Sequence, residues 1–208
     1  MIHPHIELRF INAAIGYGVV ATRLIPKGTI TWVGDPLDQI FPATPAVALP
    51  DMLEQQLERY SFRDARGQRI LCWDHARFVN HACNANCLSA DFDFEIAVRD
   101  INPGDELTDD YGTLNIEASF ACLCGHDECR GIICADDLLR YARKWDGILR
   151  QVLPESTKVA QPLWPLVQEK RKLERVLAGQ QELPSLATHY CGSQSSSHAQ
   201  GLLKGWSA

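Results

Sequence analysis

The chain has 208 residues, 46% of them hydrophobic and 22% charged, which is ordinary globular composition and fits one domain of about 130–150 residues plus an extension. No apolar run approaches the ~18 residues of a membrane span, and Met1–Phe10 carries His, Glu and Arg where a signal peptide would be apolar, so the expectation is an intracellular protein, nuclear or cytoplasmic, with no membrane partner. A net charge of −6 is the wrong sign for a nucleic-acid footprint and suits a basic protein partner, so direct nucleic-acid binding is not expected.

In chain order, residues 5–10 and 18–21 read as short strands around Gly16-Tyr17-Gly18, and 29–33 as another after the Pro26-Lys27-Gly28 turn. The stretch 35–50 holds Pro36, Pro42, Pro45 and Pro50 and reads as loop. Asp51 is placed to cap a short helix over 52–59. Residues 69–73 and 92–98 are further strand candidates, and Asn102-Pro103-Gly104-Asp105 is a turn. From Asp136 or Asp137 a helix is predicted, with an apolar stripe of Leu138, Ala142, Trp145, Leu149 and Val152, ended by Pro154. A second helix is predicted over 163–177, with a basic patch at Lys170, Arg171, Lys172 and Arg175. From Gly179 the chain turns polar, with Ser193, Ser195, Ser196 and Ser197, and reads as a loose tail. Strands first and helices after indicate a mostly-β α+β domain with a helical extension.

Eight cysteines in a chain without a secretory signal point to reduced thiols, and clustered ones to metal. Cys122, Cys124 and Cys129 lie within eight residues, with Gly125 easing the bend, a spacing that can converge on a tetrahedral Zn²⁺. The fourth ligand is open on spacing alone: Cys134 and His126 are local candidates, Cys83 and Cys87 distant ones. Asn80-His81 offers a compact set of donors and acceptors suited to an amino-acid or purine edge. Gly16-Tyr17-Gly18 lacks the third Gly and following helix of a dinucleotide fingerprint.

Taken in order, these segments resemble the SET-domain protein-lysine methyltransferases over residues 5–134. The carriers are Gly16-Tyr17-Gly18, Lys27-Gly28, Tyr60-Ser61-Phe62, and Arg77-Phe78-Val79-Asn80-His81-Ala82-Cys83. They continue with Arg99-Asp100-Ile101, then Pro103-Gly104, Glu106-Leu107-Thr108 and Asp110-Tyr111-Gly112, and end in a post-SET-like Cys122-Leu123-Cys124-Gly125 with Cys129-Arg130-Gly131. The resemblance implies small curled sheets with a knot-like core, a SET catalytic domain over 1–117, a post-SET zinc segment over 118–134, a helical extension over 135–178 and a tail over 179–208. It implies transfer of a methyl group from S-adenosylmethionine to a lysine amine in a protein or peptide substrate, a histone or another basic protein. The alternative is a SET-like module that binds cofactor or peptide without turnover.

By the same resemblance Ile15, Tyr17, Arg77, Asn80, His81 and Leu123 contact the cofactor, and Tyr60 and Tyr111 flank the transfer point, Tyr111 being first in catalysis. Cys83 becomes the fourth ligand of a structural zinc with Cys122, Cys124 and Cys129. The chain departs from the family's pattern at Ala82 (usually Ser), at Ala85 (usually Pro), in a shortened stretch between Tyr60 and Arg77, and at Asp109. At the last position the family has Phe or Tyr, which tunes how many methyl groups fit.

Overall fold

In the computed structural model, which describes residues 1–44, 48–90 and 92–192, the alternating Ile, Leu and Phe of Ile6–Asn12 form β1. It pairs antiparallel with β2 (Gly16–Ala21), whose Gly18 to Ala21 are all buried. Asn12 closes the hairpin: its Oδ1 accepts the N–H groups of Ala14 and Ile15, both at 2.9 Å. β3 (Ile30–Val33) follows, then β4 (Gln39–Phe41), helix α1 (Asp51–Tyr60), β5 (Ser61–Arg63) and β6 (Arg69–Leu71). A 3₁₀ turn over His75–Phe78, capped by the Asp74 carboxylate, leads into the two-residue β7 (Asn80–His81). β8 (Cys87–Ala90), β9 (Phe94–Ala97) and β10 (Glu106–Asp109) complete the β-rich part.

Three small sheets result: β1-β2-β10-β7, β3-β9-β8 and β4-β6-β5. Neighbours run antiparallel, except that β7 and β10 pair parallel, with Asn80 opposite Thr108 and His81 opposite Asp109. The Asn102–Asp105 turn before β10 has Pro103 presetting φ and Gly104 at φ +92°, the left-handed value a type II turn requires. A hairpin of β11 (Phe120–Ala121) and β12 (Ile132–Ile133) then folds the Cys-rich loop back on itself. This is the expected mostly-β α+β architecture of small sheets.

The stripe of α2 (Asp137–Val152) is buried at all five expected positions. It packs on Ile30, Val33, Leu88, Phe94 and Ile96 of the β3-β9-β8 sheet in one core cluster. A second cluster, with Val19, Ile25, Trp32, Cys87, Ile101 and Leu107, fills the space between that sheet and β2-β10.

Several expectations are corrected. Asp51 is the first residue of α1, not its cap; Pro50 takes the cap position and Asp51 and Glu54 favour the positive helix start. The 35–50 loop contains β4, which is held by pairing with β6, a partner that local sequence does not show; its Pro45 lies outside the described residues. The helix expected over 163–177 is split. Pro165 lacks an N–H and disfavours helix before it, so Trp164–Leu166 is a 3₁₀ turn and α3 covers only Lys170–Leu177. The tail expected from Gly179 docks up to Gly192: Leu186 is 2% exposed in the main core, and Asn115 bonds the His189 carbonyl and the Cys191 N–H. Residues 193–208, with the Ser-rich stretch, lie outside the described residues.

Leu173 of α3 is fully buried in the same core as α2 and β9. Leu173→Ala is therefore expected to cost about 2–5 kcal/mol, read from the denaturation midpoint. A surface-like change below about 0.5 kcal/mol would show that α3 is not part of the folded body.

Candidate functional site

The parallel β7–β10 contact places Asn80-His81 against the strand that runs into Tyr111. Gly18 permits this closeness. A Cβ there would stand 2.3 Å from Glu106 Oε1 and 2.9 Å from Asn80 Nδ2. Asn80 Nδ2 donates to Glu106 Oε1 (2.7 Å) and to the Tyr17 carbonyl (3.1 Å), which ties β7 to the Gly16-Tyr17-Gly18 hairpin. Tyr17 itself is 53% exposed and packs edge-on against Phe10. Ile15 lies half-buried at the tip of the same hairpin.

His81 faces two ways. Its Nδ1 accepts the Tyr111 N–H at 3.1 Å, and its Nε2 lies 3.4 Å from Cys83 Sγ. Burial and the Arg130 charge lower its pKa to about 4, so the ring is neutral at pH 7. A backbone donor on Nδ1 then fixes the proton on Nε2. The Tyr111 hydroxyl donates to the Val79 carbonyl at 2.6 Å. Burial first, then Asp109, Glu95 and Glu106, raise its pKa, so the phenol stays protonated. Phe120 of β11 stands edge-on to both rings, 6.4 Å from each.

Tyr60 ends α1 and packs on Phe78. Phe78 precedes the Val79 that receives the Tyr111 hydroxyl, so Tyr60 and Tyr111 are linked through residues 78–79. Arg77 is exposed, its guanidinium 5.4 Å above the Phe78 ring. Leu123 projects from the Cys-rich loop at 75% exposure.

The thiols gather at the other side of His81. Ligand atoms of His81, Cys83, Cys122 and Cys124 all lie within 4.8 Å of one another. Cys129 adjoins them, within hydrogen-bonding contact of the Cys122 and Cys124 side chains. Cys122 N–H donates to the Gly131 carbonyl across the β11–β12 hairpin, which closes the loop that carries the three C-terminal thiols. Burial opposes ionisation of Cys124, yet donors from Cys83, His126, Cys122 and Cys129 bring its pKa down to about 6. The set fits a tetrahedral Zn²⁺. Cys83, Cys122 and Cys124 would supply three ligands, with His81 Nε2 or Cys129 Sγ as candidates for the fourth. The proton on Nε2 leaves no lone pair for a metal, so Cys129 is the better ligand and His81 a donor to the Cys83 sulfur. Cys87 is fully buried beside Asn86, and Cys134 lies with Asp136 and Asp137, so neither joins this cluster.

Sequence reasoning passed over three contributors. Glu106 holds Asn80. Asn86 binds the Glu106 carbonyl and the Thr108 N–H, fixing β10. Arg130 pairs with Asp110 and Asp137 and lies 5.0 Å over the Tyr141 ring, while its N–H meets Cys83 Sγ. Glu106 and Arg130 stood inside quoted motifs but had no visible partner.

Comparison with known proteins now applies. A family model for the SET domain matches residues 16–112. Residues 16–112 thus resemble a SET domain. The histone-lysine N-methyltransferase SETD1B of Xenopus tropicalis is 30% identical over 146 residues, 61% of this chain and 7% of that protein. The H3 lysine-4 specific histone-lysine N-methyltransferase of Schizosaccharomyces pombe is 40% identical over 65 residues, 28% of this chain and 7% of that protein. The chain thus spans a small fraction of the length of these curated relatives. Among solved structures, the methyltransferase domain of human SETMAR overlaps 65% of this chain and 59% of that one, at 18% identity and TM-score 0.42. Every contact described above between β2, β7, β10 and Tyr111 falls inside the SET domain, whereas the Cys-rich loop follows it.

The thiol geometry gives a metal prediction. Purified protein is expected to contain about one Zn²⁺ per chain, lost in Cys124→Ser and in Cys129→Ser but kept in Cys87→Ser and Cys134→Ser. Elemental analysis decides it, and full zinc content in Cys129→Ser would return the fourth position to His81.

Proposed function

We propose that the chain transfers a methyl group from S-adenosylmethionine to the side-chain amine of lysine in a basic protein, with a histone as the first substrate to test. The observation that carries this reading is the pairing of Asn80-His81 with β10, which sets Tyr111 against the His81 ring inside a SET domain. The histone-lysine methyltransferases it resembles support the substrate class.

S-adenosylmethionine, when bound, supplies an electrophilic methyl on a sulfonium sulfur. The chain's own residues then have three tasks. Asn80, His81, Tyr17, Ile15, Arg77 and Leu123 surround and hold the donor. Tyr111 and Tyr60 align the amine. Alignment of nucleophile, methyl and leaving sulfur supplies roughly 7–11 kcal/mol when it is near ideal. The third task is to present lysine as a neutral amine. Its free pKa is about 10.4, and a dry site beside a positive sulfur lowers it. Because the Tyr111 proton is committed to Val79, its oxygen keeps its lone pairs as acceptors for amine N–H groups. Cys83, Cys122, Cys124 and Cys129 would hold a structural zinc, which would cross-link the Asn80-His81 segment to the C-terminal loop that carries Leu123.

Labelled methyl transfer to core histones is expected for the wild type and to fall about tenfold or more in Tyr111→Phe, with no label on any histone or cell-extract protein counting against catalysis. Gly18→Ala is expected to weaken S-adenosylmethionine binding by about tenfold in calorimetry, because its Cβ displaces Glu106 and Asn80 together. Unchanged affinity would remove Asn80 from the cofactor site.

A further inference from the structure

β1 (Ile6–Asn12) is the outer strand of the β1-β2-β10-β7 sheet and pairs on one side only. Its register with β2 shows which backbone groups are left over. The His5 carbonyl accepts the Thr22 N–H at 3.0 Å, and the same register continues through Glu7 opposite Val20 and Arg9 opposite Gly18. His5, Glu7 and Arg9 therefore turn their N–H and C=O groups towards β2. The far side of β2 agrees. Ala21 N–H donates to the Asp105 carbonyl at 2.9 Å, so Val19 and Ala21 bond towards β10, and Gly18 and Val20 towards β1. The N–H and C=O groups of Ile6, Leu8 and Phe10 point outward. None of these three N–H groups has a partner among the described residues.

A free edge of this kind accepts a further strand unless its side chains forbid it. Ile6, Leu8 and Phe10 share one face of β1, and Phe10 is 57% exposed. Glu7 and Arg9 share the other face. They are exposed and opposite in sign, with Arg9 Nε donating to Glu7 Oε1 at 3.2 Å.

This order of side chains is complementary to itself. An antiparallel second copy has to set outward-pointing residues opposite outward-pointing residues, or no ladder forms. A register centred on Glu7 would oppose two glutamates, and one centred on Arg9 two arginines, and like charges directly opposed are destabilising. The register centred on Leu8 instead puts each Glu7 opposite an Arg9. It does so at the positions without ladder hydrogen bonds, where side chains stand closest. The same register sets Leu8 against Leu8 and each Phe10 against an Ile6, which makes one apolar row on the opposite face.

We propose that β1 pairs antiparallel with β1 of a second copy of this chain, centred on Leu8, so that one sheet runs through a homodimer. The pairing braces Phe10, which stands edge-on to Tyr17 with ring centres 5.7 Å apart, and so reaches the Gly16-Tyr17-Gly18 hairpin. It does not depend on the methyl-transfer reading. The contact is small, so the dimer is expected to be weak, with Kd about 10–100 µM.

Sedimentation of the full chain tests this, and the wild type is expected to pass from monomer to dimer between about 1 and 500 µM. Glu7→Arg and Arg9→Glu each oppose like charges at both charged positions and are expected to weaken the dimer about tenfold or more. Mixed together, the two variants are expected to pair with each other about as well as the wild type does with itself, since each supplies the charge the other lacks. Glu7→Arg combined with Arg9→Glu in one chain is expected to restore the homodimer. Hydrogen exchange gives a second readout on the unaltered chain, which holds even if a variant fails to fold. The Ile6, Leu8 and Phe10 amides are expected to exchange more slowly at dimer concentrations, and those of Glu7 and Arg9 at an unchanged rate. A chain that stays monomeric up to about 500 µM overturns the proposal, even if some other extended peptide binds this edge. So does a dimer that both folded single variants leave intact or that their mixture does not restore, and so does amide protection that falls elsewhere.

Discussion

The short parallel contact between β7 and β10 is what the rest of the molecule depends on. Two residues, Asn80 and His81, pair with two others, Thr108 and Asp109, across a sequence gap of 28 residues. So brief a ladder has little stability of its own, and the structure reinforces it from every side. Glu106 and the Tyr17 carbonyl hold the Asn80 amide. Asn86 bonds β10 at two backbone positions. The Tyr111 N–H locks the His81 ring, and the Tyr111 hydroxyl reaches back to Val79. Each of these bonds joins residues on opposite sides of the contact, so losing any one leaves a polar group unpaired near the interior, which costs more than the bond itself contributes. Asn80, His81 and Tyr111 are thereby parts of one hydrogen-bonded unit.

A second consequence follows at Arg130. It lies just beyond the last thiol of the cluster, yet its guanidinium reaches Asp110, which adjoins Tyr111, and Asp137 at the start of α2. The buried Asp110 carboxyl also caps the turn that carries Tyr111, accepting the Gly112 N–H at 3.0 Å. One cation therefore joins the Cys-rich loop, the tyrosine turn and the helical extension. Removing it would take this cation from two buried carboxylates, a larger penalty than the loss of an exposed ion pair.

The local features of the fold were readable because they need only neighbours. The Asn12 hairpin, the Pro103-Gly104 turn and the α2 stripe are written in adjacent residues. The elements that were misread depend on distant partners. β4 is a strand only because Ile40 meets Ile70. The segment after Gly179 is polar by composition, yet Leu186 N–H bonds Asp146 and its side chain enters the core, which a reading of composition cannot show. Pro165 is a local signal against a continuous helix over 163–177; Leu163, Val167 and Leu173 are all buried, but the first two flank the Trp164–Leu166 turn and the third lies on α3. At the site, motif order brought the right segments to attention, whereas the burial of Asp109 and the tautomer of His81 are properties of three-dimensional packing alone.

The helical extension is more than an addition to a finished domain. Gly28 has φ +89° and no Cβ, and one placed there would lie 2.8 Å from the Glu155 backbone, so the turn before β3 and the segment after α2 are fitted to each other. Gln161 completes the fit. Its Oε1 accepts the Ile30 N–H at 2.9 Å, and its Nε2 donates to the Gly28 carbonyl at 2.7 Å and to the Ser156 carbonyl at 3.0 Å. One side-chain amide thus takes the place that a neighbouring strand would occupy along β3. An edge with unsatisfied backbone groups invites pairing with other chains; here Gln161, 131 positions away, closes it at Ile30, and Met1 and His3 bond Val33 and Thr31 further along. The sheet that carries Glu95 is therefore held in place from outside residues 16–112. Residues 153–192 belong to the same folding unit as the site.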